Sequence, residues 1–258
     1  KFGILRSDAD KAAEICRKAG LRVCGIHNHT GSGIADIAKY IESMRNLLSV
    51  ISVERFPDLD FVDFGGGFKA PYAPDEKIVD YAAFGKAVGD SFSEFCSRYG
   101  KNLSLYIEPG KYITAESAIF VVQVNTLKNN RGRKIAGVNS GFPHLIRPIL
   151  YQAYHHIVNL SNPEGREELY DICGNICESG DRFAAQREIA EIREGDYLAI
   201  MNAGAYCFSM ASVYNLRPLP AEVFCYKGRM RVRKAMSNRE LAMKIYKAHC
   251  EEEVAGRI

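Results

Sequence analysis

Three times in its first 111 residues the sequence passes from a short apolar or β-branched run into a cluster of glycines and polar side chains. Residues 21–27 open into Asn28, His29, Thr30, Gly31, Ser32 and Gly33; residues 59–64 open into Gly65, Gly66 and Gly67; residues 103–107 open into Glu108, Pro109, Gly110 and Lys111. A helical pattern fills each gap. Ile37, Tyr40, Ile41, Met44, Leu47, Leu48 and Ile51 fall on one face of a helix expected over 36–53. Tyr81, Phe84, Val88, Phe92, Phe95, Cys96 and Tyr99 mark the next, with Gly100 as its stop. A further amphipathic helix is expected over 7–19, with Ser7 as N-cap and Gly20 as stop. Strand-helix alternation with the unusual residues at the C-terminal strand ends is the rhythm of a (β/α) barrel or a doubly wound sheet, and both folds keep their active sites at those ends.

After about residue 114 the rhythm changes. Strand-like runs at 118–127, 134–138, 155–160, 167–176, 196–201, 221–226 and 230–234 are separated by turn residues. No long helix follows until 238–252, which opens on a capping box from Ser237 to Glu240 and places Leu241, Ile245 and His249 on one face. The expected organisation is an α/β part over 1–114, a β-rich domain of Greek-key or sandwich type over 115–236, and a terminal helix over 237–258.

Composition narrows the function classes. Of 258 residues, 47% are hydrophobic and 25% charged, which supplies a core and excludes disorder, collagen-like repeats and coiled coil. Lys+Arg 34 against Asp+Glu 31 gives +3, no footprint for nucleic acid or an anionic membrane. The densest basic run, Lys227 to Lys234, alternates charge with apolar residues and reads as the solvated face of a strand. No apolar stretch reaches the ~18 residues of a membrane span and no signal peptide is evident, so a cytoplasmic protein is expected. Cysteines 16, 24, 96, 173, 177, 207, 225 and 250 are scattered through apolar segments and read as thiols. Cys173 and Cys177 have no second pair to make a metal site, and none is expected.

The clusters carry candidate chemistry, each beside a plainer reading. The triplet Gly65–Gly67 after a buried strand admits an anion to its N–H groups, though a bare tight turn uses the same residues; Gly110 offers a second close approach. His29 can stack on a flat ring and Ser32 can bond a phosphate oxygen, or both can be structural; His27 is expected on the opposite side of its strand. Glu108 is a salt-bridge or cap residue, or the carboxylate that holds a protonated ring nitrogen. Cys177, Glu178 and Asp181 lie within five residues, as a turn or as a proton-transfer group. Arg147 and Tyr151 pair a guanidinium with a phenol, suited to a substrate carboxylate or to a surface ion pair. Small residues at 203–205 could present the Tyr206 hydroxyl.

HNHTGSG, DFGGGF, EPGKY, SGFPHLIRPILY, ICGNICESGD and NAGAYCFSMASVYNLRPLPAEV occur in the order and spacing of diaminopimelate decarboxylases, and the chain resembles that family nearly end to end. The resemblance implies an alanine-racemase-like (fold type III) enzyme, in which a (β/α)₈ barrel precedes a β-domain. It also implies pyridoxal 5'-phosphate as cofactor and the conversion of meso-2,6-diaminopimelate to L-lysine and carbon dioxide. By the same resemblance, His29 stacks on the pyridine ring and Glu108 faces its nitrogen, while Ser32, Gly65, Gly66, Gly67, Gly110 and Tyr206 surround the phosphate. Arg147 and Tyr151 match contacts to the substrate carboxylate. Cys177 and Glu178 match a pair delivered across a homodimer interface, Cys177 taking part in reprotonation. An ornithine- or arginine-type decarboxylase and a non-catalytic regulatory homologue are the alternatives.

Two departures from the family pattern stand out. Lys111 occupies a substrate-contact position where many relatives carry Arg, so a bidentate contact becomes a point charge. No lysine has the Tyr-Ala-x-Lys-Ala-Asn surroundings of the family's cofactor-carrying lysine; Lys69 is on the wrong strand. An eight-unit barrel takes ~250 residues by itself, whereas three β/α units precede the β-domain. The expectation is therefore the C-terminal part of a longer enzyme, inactive without that lysine, with Lys1 an internal residue of the parent.

Overall fold

The computed structural model describes residues 2–255, and the side chains up to residue 248. Two compact units result: one holds the residues up to Pro71 with Asp75–Thr114, the other Tyr72–Pro74 and the residues from Ala115 on.

In the first unit, β1 (Gly25–His27), β2 (Phe61–Asp63) and β3 (Ser104–Tyr106) form a parallel sheet in that order. Ile26, Val62 and Leu105 turn toward the helices α2 (Ile37–Leu48) and α3 (Tyr81–Tyr99), where Tyr40, Met44, Phe64, Phe84, Phe92 and Leu59 make the core. The alternate residues form the other face. There Phe61 stacks on Tyr106, ring centroids 4.8 Å apart, and Tyr106 stays 51% exposed, so this face is open among the described residues. The Asp36 carboxylate caps α2 through the N–H groups of Ala38 and Lys39, and Asp80 caps α3 through Ala82 and Ala83. Gly100 ends α3 in the left-handed conformation at φ 82°, as expected of a helix stop.

Several expected boundaries shift. The first helix is α1 (Ala9–Lys18), preceded by a 3-10 turn at Arg6–Asp8; Ser7 lies inside that turn and is not the N-cap. The helix expected to reach 53 stops at Leu48, because the Ser49 hydroxyl donates to the Asn46 carbonyl and Ser52 Oγ accepts from the Arg55 N–H, local bonds that compete with the helical ladder. Ile51 is still buried, from the loop rather than from the helix.

The second unit has one six-stranded mixed sheet in the order β6 (Ile157–Asn159), β9 (Tyr197–Ile200), β4 (Phe120–Asn130), β5 (Arg133–Val138), β7 (Glu167–Cys173), β8 (Arg182–Ala190). All pairs are antiparallel except β5 with β7. The outermost strands β6 and β8 also meet, so the sheet is nearly closed on itself and is not the two stacked sheets of a sandwich. Its interior is filled by Val122, Val124, Ala136, Leu145, Ile157, Ile172, Phe183, Leu198 and Ile200. Strand β8 escaped the sequence reading: RFAAQREIA is rich in helix formers, yet pairing with β7 along its length overrides propensity.

A separate hairpin, β10 (Glu222–Tyr226) with β11 (Arg229–Arg233), carries the basic run, every residue of β11 exposed. The chain ends in α6 (Asn238–Ala255), whose capping box forms: Ser237 Oγ accepts from the Glu240 N–H at 3.2 Å, while Glu240 accepts from the Ser237 N–H at 2.6 Å. Leu241 is buried and Ile245 exposed; the side chains of His249 and Cys250 lie outside the described residues. Among the described residues no helix is long and apolar enough to cross a membrane.

Candidate active site

In the first unit the three loops after β1, β2 and β3 converge at backbone distance. The N–H of Glu108 donates to the Gly65 carbonyl at 2.9 Å, that of Ile34 to the Gly67 carbonyl at 2.8 Å, and that of Asn28 to the Asp63 carbonyl at 3.0 Å. Glycine is required there. A Cβ on Gly66 would stand 2.3 Å from the Glu108 carbonyl oxygen, and one on Gly67, itself at φ +99°, would stand 2.5 Å from that of Gly31.

The N–H of Gly65 donates to Asp63 Oδ1 at 2.9 Å and that of Gly66 to His29 Nδ1 at 3.2 Å. Those two N–H groups hold Asp63 and His29 in place and are not the ones that would meet an anion. By the same measure Gly110, which begins the short helix α4 (Gly110–Thr114), spends its N–H on the Glu108 carbonyl at 2.9 Å, so that Gly67 and Ser32 remain of the expected phosphate cradle. Lys111 follows in that helix, and its Nζ donates to Ser32 Oγ at 2.7 Å. The departure from arginine therefore sets an ammonium on the Ser32 hydroxyl.

His29 is exposed, and with Nδ1 accepting from Gly66 its proton resides on Nε2. His27 is not on the opposite side: residues two apart share a strand face, and its Nε2 lies 3.5 Å from Glu108 Oε2. Asp63 joins them, one ligand atom of each of the three lying within 4.8 Å of the others. Sequence reasoning missed Asp63 although the same period of two marks it, two residues after Phe61 on the open face of the sheet. Glu108 is 54% exposed on the open face of the sheet rather than buried at the end of an apolar strand. Lys69 bonds Glu76, Nζ to Oε1 2.9 Å.

In the second unit, Arg147 opens the short helix α5 (Arg147–Tyr151) and is buried, 8% exposed, while Tyr151 is exposed. Its Nη1 lies 2.9 Å from His155 Nε2 and its guanidinium 4.8 Å from the centre of the Tyr72 ring. Among the described residues no carboxylate lies within ion-pair distance of it, so it is not the surface ion pair that was the plainer reading.

The CESGD segment forms the connection between β7 and β8. Asp181 is buried and accepts from the N–H groups of Phe142 at 2.6 Å and Ile176 at 2.8 Å. Burial pushes its carboxyl above the usual range, against the lowering effect of those bonds. It is the loop's internal brace. Cys177 and Glu178 project from the braced turn into solvent, Cys177 Sγ meeting Asn215 Nδ2 at 3.6 Å.

Tyr206 is 52% exposed and sits at φ 57°. Left-handed backbone is costly for a residue with a Cβ and is retained where surrounding structure over-determines it. Here the N–H groups of Ala203 and Gly204 pin the turn to the Ala118 and Ala115 carbonyls at 2.8 and 3.0 Å.

Comparison with known proteins adds the lineage. A family model described as the C-terminal sheet domain of pyridoxal-dependent decarboxylases matches residues 34–204. Diaminopimelate decarboxylase of Methanothermobacter thermautotrophicus is 40% identical over 237 residues, 90% of this chain and 55% of that protein. That of Aquifex aeolicus is 35% identical over 241 residues, 92% of this chain and 56% of its own. A crystal structure of a diaminopimelate decarboxylase superposes with TM-score 0.86 at 32% identity, covering 94% of this chain and 61% of that one. A lysine/ornithine decarboxylase from Vibrio vulnificus, at 23% identity and TM-score 0.73 over 83% of this chain and 57% of its own, shares the fold. The chain thus spans somewhat over half the length of the curated relatives it matches. With a family match over most of its residues, the chain belongs to the pyridoxal-dependent decarboxylases.

Proposed function

We propose that these residues are part of a cytoplasmic, homodimeric decarboxylase that converts meso-2,6-diaminopimelate to L-lysine and carbon dioxide. The observation that carries the substrate reading is Arg147. A buried guanidinium with a neutral imidazole and an aromatic face beside it, and no carboxylate within reach among the described residues, is a site for an external anion. A diamino acid with a second carboxylate supplies one; ornithine does not. The named relatives support the same choice.

The residues fit the family's cofactor. Ser32 and Lys111 offer a hydroxyl and a cation for a phosphate, Gly67 a backbone N–H on the neighbouring loop, and the Glu108 carboxylate stands exposed for a ring nitrogen. Bound pyridoxal phosphate supplies the electron sink for the pair left when a carboxylate departs. With the cofactor bound, His29 would cover one face of the ring, Glu108 would keep the nitrogen protonated, and Tyr206 would supply a phenol to the phosphate. Tyr151 helps Arg147 fix the far end of the substrate, which turns the scissile bond toward the sink. Cys177 returns a proton to the carbon and Glu178 binds the substrate, both on the homodimer reading, in which their exposed turn serves the partner's site. The lysine that carries the cofactor would come from outside these 258 residues, as part of a complete barrel, so this chain alone should show no turnover.

The test is carbon dioxide release by the full-length protein loaded with cofactor. Release from meso-diaminopimelate and not from ornithine or arginine is expected, with the preference lost in Arg147→Ala. Preference for ornithine or arginine in the unaltered enzyme overturns the reading.

A further inference from the structure

The Arg147 guanidinium is held by a residue with no role in the reading above. His155 is fully buried, just before β6. Its Nδ1 lies 2.8 Å from the Met201 carbonyl oxygen and its Nε2 lies 2.9 Å from Arg147 Nη1. Both partners are chemically one-sided. A carbonyl only accepts, so Nδ1 carries the proton; a guanidinium only donates, so Nε2 offers its lone pair. The ring is fixed as the neutral Nδ1–H tautomer, since a second proton would set N–H against N–H. Burial and the nearby Arg147 and Arg187 charges agree, holding its pKa down at about 4.

The backbone fixes both ends of this relay. The N–H of Met201 donates to the His156 carbonyl at 2.8 Å, and Arg187 Nη1 donates to the carbonyl of His155 itself at 2.7 Å. Tyr72 completes the holder, its ring edge-on to the imidazole at 5.2 Å and beneath the guanidinium.

We infer that His155 is the positioning residue of the Arg147 clamp, orienting the guanidinium with a neutral acceptor so that its charge stays uncompensated for the substrate's second carboxylate. The choice of a neutral acceptor matters. A carboxylate at this place would orient the arginine equally well but would also neutralise it and compete with the ligand, whereas an imidazole lone pair occupies one of five N–H groups and leaves the charge free. This rests on the reading of Arg147 as the carboxylate clamp.

The experiment uses the full-length enzyme loaded with cofactor, with two competitive ligands: L-lysine, which keeps a carboxylate, and cadaverine, which has none. His155→Phe should raise both KM for meso-diaminopimelate and the L-lysine inhibition constant about tenfold, the worth of one charged hydrogen bond. The fall in kcat should be much smaller, and cadaverine inhibition should not move. His155→Gln, whose amide oxygen reaches the Nε2 position, should recover most of the loss, and His155→Asn, which ends at the Nδ1 position, should not. Equal shifts for L-lysine and cadaverine, a loss confined to kcat, or no shift overturns the inference. If the Phe variant does not fold, Gln against Asn decides, and an equal or inverted order overturns it. Arg147→Ala separates the two levels. If it leaves the L-lysine to cadaverine ratio unchanged, the clamp itself is wrong; if it collapses the ratio while His155→Phe does not, only the role of His155 is.

Discussion

His27 Nε2 lies 3.5 Å from Glu108 Oε2, so the carboxylate assigned to the cofactor ring has an imidazole at its side, with Asp63 completing a group whose ligand atoms fall within 4.8 Å of one another. The same three residues could ligate a divalent cation, and a cation would take the oxygen that a ring nitrogen needs. Dialysis of the full-length enzyme against a chelator should leave carbon dioxide release unchanged, whereas Glu108→Gln should lower kcat by about 10- to 100-fold, as loss of a charged hydrogen bond does. Loss of activity on chelation, restored by added metal, would reverse the assignment.

Lys111 Nζ lies on the Ser32 hydroxyl, and on the proposed reading it would serve a phosphate where the family pattern suggests a substrate contact. Lys111→Ala should weaken binding of pyridoxal phosphate about tenfold, by the worth of one charge-assisted bond, and leave binding of dephosphorylated pyridoxal unaltered. Cofactor fluorescence titration measures both. An equal effect on the two ligands shows that Lys111 does not face the phosphate.

Asp181 is expected to matter for stability before chemistry. Asp181→Ala leaves the Phe142 and Ile176 N–H groups without their acceptor and should cost about 2–3 kcal/mol, read as a lower urea midpoint at unchanged m-value. Asp181→Asn keeps one acceptor oxygen and should lose less. Freed from its brace, the turn should also expose Cys177 to faster alkylation; an unchanged alkylation rate in a destabilised Ala variant would mean that the turn holds its shape without the carboxylate.

His155 gives the fold a defined acid sensitivity. Its folded pKa of about 4 lies below the ordinary 6.5, so between those values the unfolded chain binds a proton that the folded chain refuses. Stability is intact above about pH 6.5, falls as pH drops toward 4, and is constant in this respect below it, for a total on the order of 3 kcal/mol. The difference in urea stability between wild type and His155→Gln, followed from pH 7 to 4, isolates this contribution. A pH-independent difference would show that His155 does not resist protonation.

The α/β half was readable because its signals are local. Asp36 and Asp80 begin helices, Gly100 ends one, and the polar clusters at 28–33, 65–67 and 108–111 mark strand ends without reference to anything distant. The sheet domain was less so. Strand β8 is decided by β7, and the closure of the sheet by contact between β6 and β8, neither of which leaves a period in the sequence. The same holds within the candidate site. Glu108, His29 and Arg147 announce themselves by residue type beside a loop, whereas His155 and Asp181 act through partners 8 and 39 residues away in sequence, and only their contacts distinguish a clamp holder and a brace from two more polar side chains. His27 was misplaced for a simpler reason: the alternation that puts it beside Glu108 was there to be counted.

The glycine loop has a mechanical consequence. A Cβ at Gly66 would meet the Glu108 backbone, one at Gly65 the carbonyl of Asn28, and one at Gly67 that of Gly31, so the second loop is wedged between the first and third with no slack on either side. The three cannot breathe independently. Displacement of any one carries His29, Glu108 and the Ser32 hydroxyl together, and the spacing among these groups is preserved as a rigid gauge even when the loops as a set shift on the sheet.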